Sequence, residues 1–440
     1  MTAAFIFLVL IALLLVGMPV SIALGLTVLT VLFVLTDVPL DAVALKLFTG
    51  IESFELMCVP FFILAGNFLT HGGVARRMIR FATAMTGHWP GGLGLAAVVA
   101  CAIFAAVSGS SPATVVAIGS IMIPAMVARG YPKSFGAGVV ASSGALGILI
   151  PPSIVMVLYA VATSGMAVKG PGGERVYAAS VDDLFMAGVV PGIMLATILA
   201  LTTVWLAWRR GYPRSERESW SERFSALADC FWGLALIVIV MGGIYGGVFT
   251  PTEAAVVAAV YALFVATIVY RELKLNQLYE VFVSAAKTTA VIMFLVAAAM
   301  VSAWLITVAQ IPAELVSMLQ PFMDNQTLLL IAIMLLVIAV GTAMDMTPTI
   351  LIMTPVLMPV VRAAGIDPVY FGVLFIMNNA IGLITPPVGT VLNVVAGVGR
   401  MKMDEVTRGV VPFMLAQFAV MFLLVLFPSL VLVPLRFFTS

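Results

Sequence analysis

Long stretches of apolar residues, separated by short segments that carry most of the charges, run along the whole 440-residue chain. An α-helix needs roughly 20 apolar residues to cross the hydrocarbon core of a bilayer, so each stretch predicts one or two membrane spans. The pattern therefore predicts an all-α polytopic membrane protein. The predicted spans lie at 3–36 as a pair, 56–71, 91–128, 134–165, 183–208, 228–248, 252–270, 284–308, 326–361, 369–399 and 409–435.

Composition supports this interpretation and excludes several other classes of protein. Hydrophobic residues make up 63% of the chain and charged residues 9%, with a net charge of +1. Such a chain cannot present a water-facing surface over 440 residues, and it has no excess of cations for nucleic acid. The three cysteines are far apart and the two histidines are too few for a His-rich metal site, so neither a disulfide framework nor a zinc site is predicted.

The distribution of Lys and Arg between the loops predicts the orientation of the chain. Most of these cations fall on one side, which the positive-inside rule assigns to the cytoplasm, and both termini then lie on the opposite side. Residues 74–89 are helix-compatible and predict a helix along the cytoplasmic surface, with an ordinary loop as the alternative. The cytoplasmic side collects Arg76, Arg77, Arg80, Arg129, Lys133, Arg209, Arg210, Arg214, Arg217, Arg223, Arg271, Lys274, Arg400, Lys402 and Arg408.

An internal repeat organises the two halves of the chain. SGSSPAT at 108–114 and GILIPP at 147–152 recur as MDMTPT at 344–349 and GLITPP at 382–387. An odd number of predicted crossings separates the two copies, so the second copy has the opposite orientation in the membrane. The sequence therefore predicts an inverted-topology repeat with two re-entrant helical hairpins and two broken helices. The first repeat is placed at 1–225, with its hairpin at 91–128 and broken helix at 134–165, and the second at 226–440, with its hairpin at 326–361 and broken helix at 369–399.

Adjacent prolines explain why the two long helices are predicted to break. Pro151-Pro152 and Pro386-Pro387 each remove two backbone donors and push the preceding residue out of the α region. Unwound backbone at membrane depth is tolerated only where it lines an enclosed or watery cavity. Paired interruptions in inverted repeats are typical of secondary transporters, in which mirror-related halves expose one central site to each side in turn. A simple proline kink in a packed helix is the alternative.

In the first half, oxygen atoms collect around the hairpin tip and the break. Hydroxyl and carbonyl oxygens without a formal charge suit a monovalent cation that must be released again. A first sodium site is predicted there, and the alternative is that the serines are small residues permitting close helix packing. The predicted ligands are the hydroxyls of Ser108 and Ser110 and the carbonyls of Gly147, Ile150 and Pro152.

The second half offers a different set of oxygens. Asp345 stands at the second tip, and an aspartate inside an apolar stretch is costly and marks a functional site by default. Thr385 stands where the first half has Ile150. A second sodium site is predicted on Asp345, Gly382, Thr385 and Pro387, and Asp345 as the cap of a half-helix is the alternative.

An organic anion is predicted to bind between the two tips. Half-helix N-termini carry partial positive charge and free N–H groups, so a carboxylate can be held without a buried Arg or Lys. Neither tip nor break contains a basic residue, which leaves neutral side chains as ligands, or as simple helix-packing contacts. The polar candidates are Thr114, Ser142, Ser143, Thr347, Thr349, Asn378 and Asn379.

The two repeat blocks, together with GGVFTPTEAAVVAAVYAL at 246–263 and NNAIGLITPPVG at 378–389, resemble the large membrane subunit of tripartite ATP-independent periplasmic (TRAP) transporters over essentially the whole chain. The resemblance implies a sodium-driven importer of a small organic acid, such as a C4-dicarboxylate or sialic acid, that works by an elevator motion. It also implies a small four-helix membrane subunit and a periplasmic substrate-binding protein as partners, a bacterial inner-membrane location with both termini periplasmic, and no cofactor beyond the coupling sodium ions.

Three other functions are weighed against this one. A passive channel conflicts with broken helices that enclose a midplane site, although the sequence alone leaves it open. An intramembrane enzyme would need paired acids, histidines or basic residues at one membrane face, and the chain shows none, so no enzymatic activity is predicted. The nearest alternative is a stand-alone sodium/carboxylate symporter of similar hairpin architecture, which would transport without a second membrane subunit or a binding protein.

Overall fold

The computed structural model describes residues 2–35, 40–164, 168–169, 175–176, 179–308, 322, 325–342, 344–386 and 389–439. These residues form α-helices joined by short turns and by a ten-residue loop at 210–219. The other elements are the two-residue strands Val168–Lys169 and Arg175–Val176, which pair antiparallel, the 3₁₀ turns Phe54–Met57 and Ala145–Ile148, and the π turn Val265–Val269. The α-helices are Thr2–Leu15, Val20–Leu35, Leu40–Thr49, Cys58–His71, Val74–Thr86, Gly92–Ser108, Ser111–Ala128, Lys133–Gly144, Ile154–Ser164, Val181–Arg209, Trp220–Tyr245, Pro251–Phe264, Leu275–Val308, Gln326–Gly341, Met346–Ala363, Pro368–Leu383, Thr390–Gly399, Met403–Leu426 and Ser429–Thr439.

Eight helices within the described residues are long and apolar enough to cross a membrane. Their apolar residues face outward as well as inward, because lipid solvates an apolar surface as well as a protein core does. The predicted all-α polytopic membrane protein is therefore confirmed. The eight are Phe54–His71, Ser111–Ala128, Val181–Arg209, Trp220–Tyr245, Pro251–Val269, Leu275–Leu305, Met346–Ala363 and Met403–Leu426.

The stretches 91–128 and 134–165 each contain two helices. Gly109 joins helices Gly92–Ser108 and Ser111–Ala128 with a φ of 59°, a left-handed conformation that glycine adopts without steric cost. The following long stretch divides into Lys133–Gly144 and Ile154–Ser164, with a 3₁₀ turn and the cis Pro151-Pro152 bond between them. The predicted interruption at the adjacent prolines is thus present.

The second half repeats this arrangement. Helices Gln326–Gly341 and Met346–Ala363 are joined at the tip that precedes Asp345, and the next stretch divides into Pro368–Leu383 and Thr390–Gly399. Pro386 lies in this second interruption, while Pro387 lies outside the described residues.

The two halves interlock through their broken helices. The C-terminal piece of the first broken helix, Ile154–Ser164, packs against Met346–Ala363 of the second hairpin. Reciprocally, Thr390–Gly399 of the second broken helix packs against Ser111–Ala128 of the first hairpin. Each break is therefore held between the two hairpins, so oxygen atoms from both halves lie in one region.

Several predicted boundaries differ from those observed. Helix Leu40–Thr49 is absent from the predicted spans, since Asp41 and Lys46 interrupt its apolar pattern, yet Val43 packs in a small core with Val301 and Leu305. The stretch predicted at 409–435 divides at Phe427 and Pro428 into two helices. Within residues 74–89 the structure has helix Val74–Thr86, and the location of this helix along the cytoplasmic surface stays a prediction.

Candidate functional site

A central cavity of about 190 Å³ lies between the first hairpin tip, the first broken helix and the second hairpin. Two further helices, Cys58–His71 and Leu275–Val308, close its other side. Its polar lining is neutral, consisting of hydroxyl and amide side chains. The lining residues are Ile63, Gly66, Asn67, Ser108, Gly109, Ser110, Ala113, Ile154, Val155, Thr288, Ile292, Met346 and Thr347.

The first hairpin tip lies directly against the first break. A Cβ atom added to Gly147 would lie 2.8 Å from the carbonyl carbon and oxygen of Ser110, and one on Gly109 would lie 2.9 Å from the Pro152 oxygen. Only glycine allows backbone to approach backbone at these two points. The structure therefore brings together Ser110, Gly147 and Pro152, three of the five residues predicted for the first sodium site.

The break leaves carbonyl groups without helical donors. Because Pro151 and Pro152 have no N–H, the carbonyls of Gly147 and Ile148 cannot accept the usual α-helical hydrogen bond. The Ser153 hydroxyl donates to the Ile148 oxygen at 2.7 Å, so the Ile148 carbonyl has a hydrogen-bond donor in place of the missing backbone N–H. The Gly147 carbonyl retains its lone pairs for another donor or for a cation.

The hydroxyls at the first tip are partly engaged with each other. The Ser108 and Thr114 hydroxyl oxygens lie 3.0 Å apart, and the Thr114 hydroxyl donates to the Ser110 carbonyl at 2.8 Å. Thr114, predicted as a substrate ligand, thus stabilises the tip itself. The Ile150 side chain lies against Gly192 of helix Val181–Arg209.

Asp345 occupies the N-cap position of helix Met346–Ala363, yet its carboxylate makes no cap hydrogen bond. Instead, the Thr390 hydroxyl, from the far side of the second break, donates to Asp345 Oδ1 at 3.1 Å. The Thr349 hydroxyl donates to the Asp345 backbone carbonyl at 2.8 Å, and Thr347 lines the central cavity. A half-buried carboxylate next to a neutral hydroxyl is a suitable ligand for a cation.

Of the remaining residues of the predicted second site, Gly382 and Thr385 contact helix Gln326–Gly341 and their own helix end, and their described contacts do not include Asp345. Gly382 approaches Gly341, since an added Cβ would lie 3.1 Å from the Gly341 Cα, and the Gly382 carbonyl accepts the Thr385 N–H at 3.1 Å. The Thr385 hydroxyl donates to the Ile381 carbonyl at 2.6 Å. Pro387, the fourth predicted ligand, lies outside the described residues.

Unpartnered oxygens mark the interior near both breaks. The hydroxyls of Ser142 and Ser143 and the amide oxygens of Asn378 and Asn379 are buried without a hydrogen-bond partner among the described residues. The amide nitrogens are engaged, because Asn378 donates to the Met334 carbonyl at 2.7 Å and Asn379 to the Phe375 carbonyl at 3.0 Å. Asn378 and Asn379 therefore present acceptors, which favour a cation as their ligand, whereas the two serine hydroxyls can donate or accept.

Sequence reasoning missed four polar residues that the structure places at the site. Asn67 has a buried Nδ2 without a hydrogen-bond partner among the described residues, and it lines the central cavity with Thr288. Thr390 contacts Asp345, and the fully buried Gln417 donates to the Ser142 carbonyl at 3.0 Å. A polar side chain inside an apolar span is the only sequence signal they carry, and it does not reveal their partners.

Comparison with known proteins gives a family match over nearly the whole chain. Residues 7–430 match the family described as "Tripartite ATP-independent periplasmic transporter, DctM component". The chain is 55% identical to the C4-dicarboxylate TRAP transporter large permease protein DctM of Rhodobacter capsulatus, over 98% of each chain. It is 44% identical to the 2,3-diketo-L-gulonate TRAP transporter large permease protein YiaN of Escherichia coli K12, over 96% of each.

A fused relative and a solved structure add to this comparison. The isethionate TRAP transporter permease protein DctMQ of Oleidesulfovibrio alaskensis is 40% identical over 95% of this chain and 64% of its own length. The Alcanivorax borkumensis YdaH transporter superposes with a TM-score of 0.62 at 14% identity, covering 92% of this chain and 96% of that one. At such an identity, the likeness concerns the fold.

Proposed function

Because the chain belongs to the DctM component family of tripartite ATP-independent periplasmic transporters, we propose that it carries a small organic acid across the bacterial inner membrane together with sodium ions. It is a transporter subunit and not an enzyme. The observation that carries the proposal of sodium coupling is the contact of the first hairpin tip with the first break, where Gly147 presents a carbonyl that its helix cannot satisfy. Asp345 supplies the second cation site.

The size and lining of the central cavity favour a small acid as the substrate. Its volume of about 190 Å³ is below the 300–1,000 Å³ of pockets for drug-sized ligands. The relative from Rhodobacter capsulatus is named for C4-dicarboxylates, which are small enough to fit. We therefore favour a C4-dicarboxylate over a larger acid such as sialic acid.

Two partner proteins belong to this proposal. The family description names a tripartite transporter, and the DctMQ relative extends well beyond the length that this chain matches. We propose a small four-helix membrane subunit of the Q type and a periplasmic substrate-binding protein of the P type. An elevator motion, in which the two hairpins and broken helices move together, is the proposed route to alternating access. The proposed orientation, with both termini periplasmic, follows from the positive-inside rule.

Uptake of succinate into proteoliposomes is expected to require an inward sodium gradient together with both partner proteins. Cation sites made of oxygen atoms would couple the downhill entry of sodium to the movement of the acid. The measurement is radiolabelled succinate uptake by the complete complex, with a potassium gradient of equal size as the control. Comparable uptake by this chain alone would favour the stand-alone symporter instead, and equal uptake with potassium would reject sodium coupling.

Asn67→Asp is expected to raise the succinate KM about tenfold or more while the sodium dependence stays unchanged. The substitution is nearly isosteric, but it replaces the unpartnered Nδ2 donor with a negatively charged acceptor that repels a carboxylate. Thr288→Val, on the facing wall of the central cavity, removes a hydroxyl without adding charge and should have a smaller effect. An unchanged KM in Asn67→Asp would remove Asn67 from the substrate site.

A further inference from the structure

A second cavity, of about 220 Å³, lies between helices Cys58–His71 and Ser111–Ala128. We call it the outer cavity. Helix Cys58–His71 contributes Thr70 and His71 to it, and helix Ser111–Ala128 contributes Ala117 and Ser120. Arg76 and Glu272 close its outer end.

The two cavities are consecutive along one seam, defined as the gap between helices Cys58–His71 and Ser111–Ala128. On the first helix, Ile63, Gly66 and Asn67 line the central cavity and Thr70 lines the outer one. Spacings of three and four residues place these four on one helical face.

The facing wall has the same organisation. Ala113 lines the central cavity, and Ala117, Ser120 and Ile121 line the outer cavity at helical spacing. At 1.5 Å per residue, the wall from Ala113 to Ile121 is about 12 Å long. Ala113, Ala117 and Ser120 on this wall have small side chains, which leave room for a narrow path between the two cavities.

The charges at the outer end are predominantly positive. Glu272 forms ion pairs with both Arg76 and Arg77, the latter at 2.7 Å, so two cations face one carboxylate. The Arg76 side chain is 64% exposed, which leaves its guanidinium accessible to another anion. The same residues belong to the side that the positive-inside rule assigns to the cytoplasm.

We propose that this seam is the path by which the transported carboxylate leaves the central cavity for the cytoplasm, with the outer cavity as its vestibule and Arg76 as the cation that receives it. The proposal rests on the function proposed above and adds the route and the residues of release. Asn67 stands at the inner end of the path and Arg76 at the outer end, so an anion passes from one donor to the next. The acidic residue in the lining of the outer cavity, Glu272, is ion-paired with Arg76 and Arg77.

Cysteine labelling tests the path. Ser120→Cys, in a chain whose three native cysteines are replaced, is expected to react with an impermeant thiol reagent added to the cytoplasmic face of vesicles holding the complete complex. Succinate should slow this reaction, and a bulky adduct should abolish succinate uptake. Arg214→Cys, in an exposed loop on the same predicted side, is the control: it should react without protection by succinate and without loss of uptake.

Substitution of the vestibule cation gives a second measurement. Arg76→Gln is expected to lower the maximal uptake rate about threefold to fivefold with the succinate KM unchanged, because release and not binding is slowed. Arg80→Gln is the matched control, since Arg80 lies on the same helix and is also ion-paired, with Asp229, but does not line the outer cavity. A purely structural ion pair predicts equal effects of the two substitutions.

Three outcomes would overturn the path. These are an adduct at Ser120→Cys that leaves uptake intact, labelling from the cytoplasmic face that succinate does not affect, and equal rates for Arg76→Gln and Arg80→Gln. Should Ser120→Cys fail to fold, Thr70→Cys on the opposite wall gives the same measurement. Failure of the proposed function is distinguishable, because the unsubstituted complex would then show no sodium-dependent succinate uptake at all.

Discussion

Asp345→Asn is expected to raise the sodium concentration for half-maximal uptake about tenfold or more. The substitution retains the shape of the side chain and removes the negative charge that attracts the cation. Loss of one charged ligand costs on the order of 1–3 kcal/mol, and 1.4 kcal/mol corresponds to a tenfold change in affinity. The measurement is the sodium dependence of succinate uptake in proteoliposomes at a saturating succinate concentration.

The chain offers a matched control for this substitution. Asp367 is also the N-cap of a helix, but its carboxylate accepts hydrogen bonds from the N–H groups of Val369 and Tyr370, at 2.8 and 2.9 Å. Asp367→Asn should therefore lower the thermal stability slightly without changing the sodium dependence. If Asp345→Asn behaved in the same way, the Asp345 carboxylate would have only a structural role and the second sodium site would be abandoned.

The Thr390 hydroxyl refines this test. Since it donates to Asp345 Oδ1 at 3.1 Å, Thr390→Val should change the sodium dependence in the same direction as Asp345→Asn, by a smaller factor. Thr390→Ser keeps the hydroxyl, so its sodium dependence of uptake should match that of the unsubstituted protein. Thr385→Val tests the residue that sequence reasoning placed at this site, whose hydroxyl is bonded to the Ile381 carbonyl.

Gly147→Ala is expected to reduce sodium-dependent uptake at least tenfold. The added methyl group would lie 2.8 Å from the Ser110 carbonyl and 3.0 Å from the Ser111 nitrogen, both of them backbone atoms that cannot rotate away. The hairpin tip must therefore move away from the break, at a cost of about 1–3 kcal/mol typical of overpacking. Succinate uptake at several sodium concentrations is the measurement.

Gly242→Ala provides the corresponding control. Gly242 lies in helix Trp220–Tyr245 with no atom within 4 Å of an added Cβ, so this substitution should leave uptake unchanged and stabilise the helix slightly. Normal uptake by Gly147→Ala would show that the contact between tip and break is not part of the sodium site. Thermal unfolding of both variants in detergent separates a local change at the site from a general loss of the fold.

The sequence by itself determined the features that depend on local backbone chemistry. Adjacent prolines remove two N–H donors wherever they stand, so the interruptions before Ile154 and Thr390 follow from Pro151-Pro152 and Pro386-Pro387. Long apolar stretches predict membrane helices for the same reason, since the energy of transfer into lipid belongs to the segment and not to its neighbours. The internal repeat then indicated which interruptions belong together.

Only the tertiary structure decided which of these oxygens and donors meet. Asp345 was recognisable as a costly aspartate, but its partner Thr390 is 45 residues away and became its neighbour because each broken helix packs against the opposite hairpin. Asn67 shows the same limit, since nothing around it in the chain distinguishes it from a packing residue. Its Nδ2, without a hydrogen-bond partner in the described part of the chain, lines a cavity with the tips of two distant hairpins. Packing between remote segments, which depends on the shapes of whole helices, placed it there.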